Sequence, residues 1–314
     1  MLTEISRRLK DHLSSFPSED RILFNNKLIQ IDKDNFASIP TEVASKSIAF
    51  IDGGQAEILS AGNFCLSFVR VGALTYIGNK KIKEHKHEFF LLTTAKQDQH
   101  DLLYQTAIFP VFGDKLLDEQ DLLISSADAT IRGSQERASI SQVTSLARRF
   151  AELALATQVP ADFILLDGTL EPSYRNEEKY LSRLPKNVCA LAKSSSLFTA
   201  SGNSPAVLLS KLNSSGCWSY FVENDSYFVK LHEKAKHVFR FTGDQNILPA
   251  LEKNSRDALF LGYPYGLIAV DKLVRVSNEE KKSMRMNLLL KSENREIAEY
   301  LSTTNSHEIL DNLG

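Results

Sequence analysis

Phe163-Ile164-Leu165-Leu166-Asp167-Gly168-Thr169-Leu170 is the stretch from which the fold of this chain is read. Four apolar residues in succession, then an acid and a glycine, are the pattern of a strand buried on both faces that ends in a carboxylate at a turn. Ser47-Ile48-Ala49-Phe50-Ile51-Asp52-Gly53-Gly54 has the same grammar near the front of the chain. Two buried strands that each deliver an aspartate to the same kind of position predict convergence on divalent metal. The competing reading is that each Asp-Gly only forms a turn. Its recurrence after a second buried strand tilts the balance toward ligation.

Outward from these stretches, Phe64–Val71 with Ala73–Ile77 reads as a second strand, Gly78-Asn79 as a turn, and Lys81–Thr94 as a third strand. His85 and His87 share one face of that third strand with no third ligand in view, and read as surface residues. Residues 98–160 lose the alternation. Within them Val143, Leu146, Phe150 and Leu153 follow helical spacing, with Arg148, Arg149 and Glu152 off the stripe. Pro160 closes that helix. Asn187–Ala192 is the next buried strand, followed by Lys193 and a serine turn. Residues 196–216, rich in Ser, Asn and Gly, read as a loop or insertion. Trp218–Val222, Tyr227–Leu231 and His237–Phe241 are three further strands.

The two ends differ from this middle. Ile5, Leu9 and Leu13 make residues 3–15 a short amphipathic helix, stopped by Pro17. Residues 18–46 read as a polar approach segment, and the tail beyond Ser277 as charged and helical. With no internal repeat and no low-complexity linker, one main domain over 47–280 is expected. An insertion at about 196–250 interrupts it, and segments 1–46 and 281–314 flank it.

At 314 residues, 43% hydrophobic and 24% charged, the composition is that of a soluble globular protein. A net charge of -2 gives no global attraction to nucleic acid, so any basic surface must be local. The cysteines, Cys65, Cys189 and Cys217, are odd in number and lack CxxC spacing. That argues against a zinc site or disulfide framework and fits a reducing cytosol. No signal core opens the sequence and no apolar run approaches the ~18 residues of a membrane span. A cytoplasmic protein with no membrane association is expected.

The order strand, two antiparallel strands, helix, buried strand, buried strand, late helix resembles the ribonuclease-H-like arrangement. The expected fold is therefore α/β, a mixed sheet with flanking helices and an inserted β-rich region. In that arrangement the first and fourth strands are neighbours, and acids at their ends come close. Such carboxylates repel unless they share a cation. Two Mg²⁺ or Mn²⁺ ions roughly 3.5–4 Å apart relieve the repulsion and serve phosphodiester hydrolysis. Asp52 and Asp167 are the strand-end candidates. Glu152 is the helical candidate, although spacing alone slightly favours an ordinary ion pair with Arg148 or Arg149. Glu136 competes for the same role. Asp271 fits a fourth ligand, or equally a capping or surface acid. Lys193 is placed as a phosphate-binding lysine would be, or is simply solvated. Tyr263 and Tyr265, either side of Pro264, could stack on a base or bond a phosphate; the alternative is an aromatic core corner.

Four blocks in order carry a further resemblance: Phe50-Ile51-Asp52-Gly53-Gly54, Leu165-Leu166-Asp167-Gly168-Thr169-Leu170, Ala192-Lys193-Ser194-Ser195, and Gly262-Tyr263-Pro264-Tyr265-Gly266-Leu267 with Asp271. Together they resemble the NurA nuclease family over roughly residues 45 to 280, the Gly-Tyr-Pro-Tyr block being the most telling. The resemblance implies a ribonuclease-H-like, Mn²⁺-dependent deoxyribonuclease acting on single-stranded DNA and DNA ends, including 5′ to 3′ resection. It also implies a homodimer docked on a hexameric HerA-type ATPase for double-strand break repair. Asp52 and Asp167 match the family's metal-binding acids, and Glu152 is taken as the helical acid in a segment with no sharp motif. Asp271 falls where many relatives have histidine, and an oxygen ligand suits Mg²⁺ better. Tyr263 matches a family tyrosine near the site and Lys193 a family lysine. The alternatives are an inactive NurA-like scaffold capping an ATPase, and a ribonuclease-H-like nuclease with an RNA substrate. The N-terminal helix and the tail are the candidates for dimer or ATPase contacts.

Overall fold

A computed structural model describes residues 1–14, 20–40, 46–99, 101–258 and 260–304 of the chain. In chain order it opens with α1 (Leu2–Ser14), β1 (Arg21–Phe24), β2 (Lys27–Gln30) and β3 (Phe36–Ser38). Four long strands and one short one follow: β4 (Ser47–Ala61), β5 (Phe64–Ile77), β6 (Lys80–Asp98), β7 (Asp101–Phe112) and β8 (Ile124–Ser125). Next come α2 (Ala129–Arg132), α3 (Gln142–Ala156), β9 (Phe163–Asp167), α4 (Glu177–Leu181) and β10 (Val188–Ala192). Then α5 (Pro205–Leu212), β11 (Trp218–Glu223), β12 (Ser226–Lys230), β13 (Phe239–Thr242) and α6 (Leu248–Asn254). The chain closes with α7 (Tyr265–Val274), α8 (Asn278–Leu289) and α9 (Arg295–Thr304). Pro17, read as the stop of the first helix, lies outside the described residues, as does the tail beyond Thr304.

The chain packs as two compact units. One comprises Met1–Lys46, Asp167–Thr169 and Cys189–Tyr265, the other Ser47–Leu166, Leu170–Val188 and Gly266–Gly314. In the second unit the strand order is β9-β4-β5-β6-β7-β8. β9 runs parallel to β4, and each later neighbour is antiparallel, so the sheet is mixed as expected. α3 covers β4 and β5 from one side. Its stripe Val143, Leu146, Phe150 and Leu153 is fully buried, as its spacing requires. α7 lies against the other side. Phe50 of β4 faces Gly266, and Gly72 of β5 faces Leu273 and Val274. Two covered faces explain why β5 is buried almost without alternation from Phe68 to Tyr76.

α8 is started by a capping box of Ser277 and Glu280. It is tied to the sheet by Arg70, whose Nε lies 2.6 Å from Glu88 and whose Nη2 lies 2.8 Å from Glu280. The Arg70 hydrogen bond holds the Glu280 carboxyl below its ordinary range. A depressed folded pKa gives stability that is present above the unfolded value and lost as pH falls through the folded one. Amide protection in α8, taken relative to intrinsic exchange at each pH, is therefore expected to fall selectively as pH drops through the ordinary carboxylate range and below it. Glu280→Gln should exchange fast at neutral pH and lose that pH dependence. Equal pH profiles in the two proteins would contradict it.

The first unit is antiparallel throughout, in the order β3-β11-β12-β13-β10, with β1 and β2 forming a separate hairpin. The β-rich region read as an insertion supplies β11, β12 and β13. Its core joins Ile22 and Phe24 to Trp218, Tyr220 and Phe228, with Phe36 edge-on to Trp218 at 5.1 Å and to Tyr220 at 4.8 Å.

The structure corrects several sequence readings. Asp52 is not at a strand end, because β4 continues to Ala61 and pairs Asp52 with Gly72 in mid-strand. Residues 101–112 form a strand, although the sequence loses its alternation there. Among the described residues of 18–46 there are three short strands, and 205–212 is helical. His87 is no surface residue: its ring is buried, with Nδ1 3.2 Å from the Asp114 carbonyl. Gly113 runs directly beneath that ring, where a Cβ would collide with it.

Candidate active site

In the second unit, the site grows from the parallel pairing of β4 and β9. Their register matches Ile48 with Phe163, Ala49 with Ile164, Phe50 with Leu165 and Ile51 with Leu166. Asp52 and Asp167 are each the next residue along their strands after the Ile51–Leu166 pair. β4 leaves room at this point through Gly53. A Cβ there would sit 2.6 Å from Glu152 Oε1 and 2.8 Å from Arg148 Cγ. The glycine thus lets α3 press two charged side chains onto the strand backbone.

Glu152 lies on the buried side of α3 at 4% exposure, and Asp52 is at 8%. One guanidinium joins them: Arg148 Nη1 is 2.9 Å from Glu152 Oε1, 4.0 Å from Asp52 Oδ1, and donates to the Gly53 carbonyl at 2.9 Å. The backbone N–H of Gly53 donates to Asp52 Oδ1 at 2.7 Å. The ion pair anticipated for Glu152 therefore forms, but between buried groups rather than on a solvated face. Glu136 is exposed in the bends between α2 and α3 and belongs to no helix.

Behind this pair stands a charge chain that sequence reasoning missed. Arg149 Nη1 is 3.9 Å from Glu152 Oε2, and its Nε is 2.8 Å from Glu177. Glu177 is fully buried and also accepts the N–H groups of Ser173 and Tyr174, fixing the loop after β9 to α3. No local pattern announces Glu177. Arg148 was visible only as an acid's partner four residues away. Asp271, on α7, is paired to Arg275, the residue just past the end of that helix, at 2.6 Å.

In the first unit, Asp167 is the last residue of β9 and Lys193 follows β10, and Lys193 Nζ lies 2.5 Å from Asp167 Oδ2. The Gly168 N–H donates to the Leu191 carbonyl, which anchors this end of the strand. The Lys193 ammonium stands 5.4 Å from the centroid of the Tyr263 ring. Tyr263 is buried among Phe239 and Phe260, the aromatic corner that was the alternative reading, whereas Tyr265 is partly exposed as the first residue of α7.

Among the described residues, no three His, Cys, Asp or Glu side chains are grouped to hold a metal ion. Within the second unit, Asp52 and Glu152 offer carboxylate oxygens, the donor type Mg²⁺ and Mn²⁺ take, and they already share one positive group. Their chemistry fits a hard divalent cation. The cysteines do not: Cys65, Cys189 and Cys217 are free, and burial pushes the Cys189 thiol up to about 12.

Compared with known proteins, the sequence matches no protein-family model and no curated protein. The fold does find counterparts. The crystal structure of the NurA nuclease from Sulfolobus solfataricus superposes with a TM-score of 0.54 at 15% identity, covering 94% of this chain and 95% of that one. Ciona intestinalis endonuclease V, in complex with a 24mer DNA containing an inosine followed by a ribo-adenosine, gives 0.37 at 12% identity, over 76% and 87%. The catalytic domain of human endonuclease V gives 0.35 at 10%, over 82% and 93%.

The chain has a ribonuclease-H-like fold, a mixed sheet with flanking helices. With the NurA nuclease the likeness is one of fold over nearly the whole of both chains. No helix among the described residues is long and apolar enough to cross a membrane.

Proposed function

We propose that this chain is a divalent-metal-dependent phosphodiesterase that cleaves DNA. The observation carrying the reading is the Ile51–Leu166 parallel pair, because the residue after each member is an aspartate. The buried Glu152 on α3, drawn to the same stretch of β4, supports it. In the second unit Asp52 and Glu152 would hold the metal, with Asp271 as a further oxygen ligand; Asp167 is the metal-binding acid proposed in the first unit. Bound there, Mn²⁺ or Mg²⁺, as a pair of ions, would supply an activated water and offset charge on the phosphodiester. Lys193, more than half exposed, would contact a phosphate. Tyr265 would position the strand, and Tyr263 would hold the lysine's surroundings through its aromatic neighbours.

The finer reading follows the NurA resemblance: action on single strands and DNA ends, 5′ to 3′, in double-strand break resection, by a homodimer working with a HerA-type hexameric ATPase. The exposed apolar side chains of α1 (Leu2, Ile5, Leu9 and Leu13) support a partner surface. Cleavage of labelled single-stranded DNA in Mn²⁺, with labelled RNA in parallel, tests the activity and its substrate. Glu152→Gln is expected to lower the DNA cleavage rate by ~10²-fold, the scale of one lost charge contact in a transition state. An unchanged rate would remove Glu152 from the set.

A second reading, an inactive scaffold of the same fold, draws on the ion pairs that already close each candidate acid. Arg148 meets Asp52 and Glu152, Lys193 meets Asp167, and Arg275 meets Asp271. Calorimetric titration with Mn²⁺ separates the two, because a scaffold has no reason to bind the ion.

A further inference from the structure

Two buried carboxylates drawn to one stretch of strand are best tolerated when a cation reaches both. For Asp52 and Glu152 that cation is part of the chain. The same atom, Arg148 Nη1, reaches Glu152 at 2.9 Å, the Gly53 carbonyl at 2.9 Å and Asp52 at 4.0 Å. A divalent ion seeking those oxygens would meet a positive charge at contact distance, where repulsion in a partly buried site is strong. Guanidinium and metal therefore compete for them.

The surroundings show which arginine can yield. Arg149 has 12% side-chain exposure and is fixed by the fully buried Glu177. Arg148 has 33%, with no second acid behind it among the described contacts, so its guanidinium has a route to solvent. In the other unit the same device is built from a lysine, Lys193 on Asp167.

We propose that Arg148 is the resident counter-ion of the Asp52–Glu152 pair and that a divalent cation binds there by displacing it. The two side chains are thereby held in place in the metal-free protein. The inference rests on the metal-dependent reading above and adds an antagonism that reading does not contain. Arg148 is on this view a positioning residue, one that tunes the affinity for metal.

The test is calorimetric titration of Mn²⁺ into the metal-stripped full chain, without DNA, for the wild type, Arg148→Gln and Arg148→Lys. Arg148→Gln is expected to bind Mn²⁺ about tenfold more tightly, the scale of one charged hydrogen bond, and to melt at a lower temperature in chelator. A residue that merely supports the structure would move the two readouts together, weakening metal binding as stability falls. Arg148→Lys keeps the charge with a shorter, single-pronged reach, so its affinity should fall between the two. Should Arg148→Gln fail to fold, the lysine variant decides alone, and affinity equal to or weaker than wild type overturns the proposal. The same result in a folded Arg148→Gln also overturns it. A wild-type protein that binds no Mn²⁺ at all sinks the metal-dependent reading itself, which is a different failure.

Discussion

Asp52→Ala is expected to lower DNA cleavage by at least ~10³-fold while leaving the fold in place, a loss of several kcal/mol of charge stabilisation at the reacting centre. Asp52 sits in mid-strand, where its backbone pairs with Gly72, and a side-chain truncation leaves that pairing intact. What goes is the carboxylate beside Arg148, together with the acceptor for the Gly53 N–H. Asp52→Asn keeps that acceptor and the side-chain volume but removes the charge. Both variants should therefore be equally inactive, with Asn melting closer to wild type. Rates on labelled single-stranded DNA in Mn²⁺, with thermal melts as the control, provide the check. Wild-type cleavage by Asp52→Ala would end the assignment of the site.

Gly266→Ala is expected to be strongly destabilising, at about 3 kcal/mol, the upper end for overpacking a core. A Cβ on Gly266 would penetrate the ring of Phe50, contacting three of its carbons. Phe50 is fully buried in β4, two residues before Asp52, so it cannot swing clear without disturbing the site strand. Gly62→Ala is the control, since no atom lies within 4 Å of a Cβ built there; it should change stability by less than about 0.5 kcal/mol. The two variants are compared by their denaturant midpoints. Equal midpoints would mean that α7 does not press on β4 as described. A more sensitive consequence is that Gly266→Ala lowers cleavage before it unfolds the protein.

Elements whose residues settle their own environment were legible in advance. The stripe of α3 could be read because a helix buries a face at fixed spacing whatever it packs on. The Phe163–Leu166 run needed only its own unbroken apolar character to be placed between two covered faces. β7 was not legible. Its inward residues Tyr104, Thr106 and Ile108 do alternate, but Leu102-Leu103 and Phe109-Pro110-Val111-Phe112 blur the period, and a proline argues against a strand. Pro110 is tolerated because it lies on the outer edge. Two residues earlier the Ile108 N–H points away from β6 and is taken up by Glu119 at 3.1 Å. A proline of the same parity removes a donor that no neighbouring strand needs, and it discourages pairing with another chain.

The site divides along the same line. Asp52 and Asp167 could be named because each follows a run of buried apolar residues, and Lys193 because it follows a third. The turn inferred for Asp52-Gly53-Gly54 was wrong. Those glycines serve close approach, with Glu152 and Arg148 over Gly53 and the Val274 carbonyl over Gly54. A glycine in sequence does not say which of its two uses applies. His87 was misplaced for a related reason: what buries its ring is the backbone at Gly113 and Asp114, far along the chain.

By itself, then, the sequence determined which strands are buried and which acids terminate or interrupt them, since burial and periodicity are local properties of the residues. Tertiary structure alone decided that Ile51 and Leu166 stand in register, that Glu152 rather than Glu136 is the buried acid, and that Arg148 faces both Asp52 and Glu152. Register and ion pairing depend on how distant segments meet, and the strength of a charge pair depends on the water left around it.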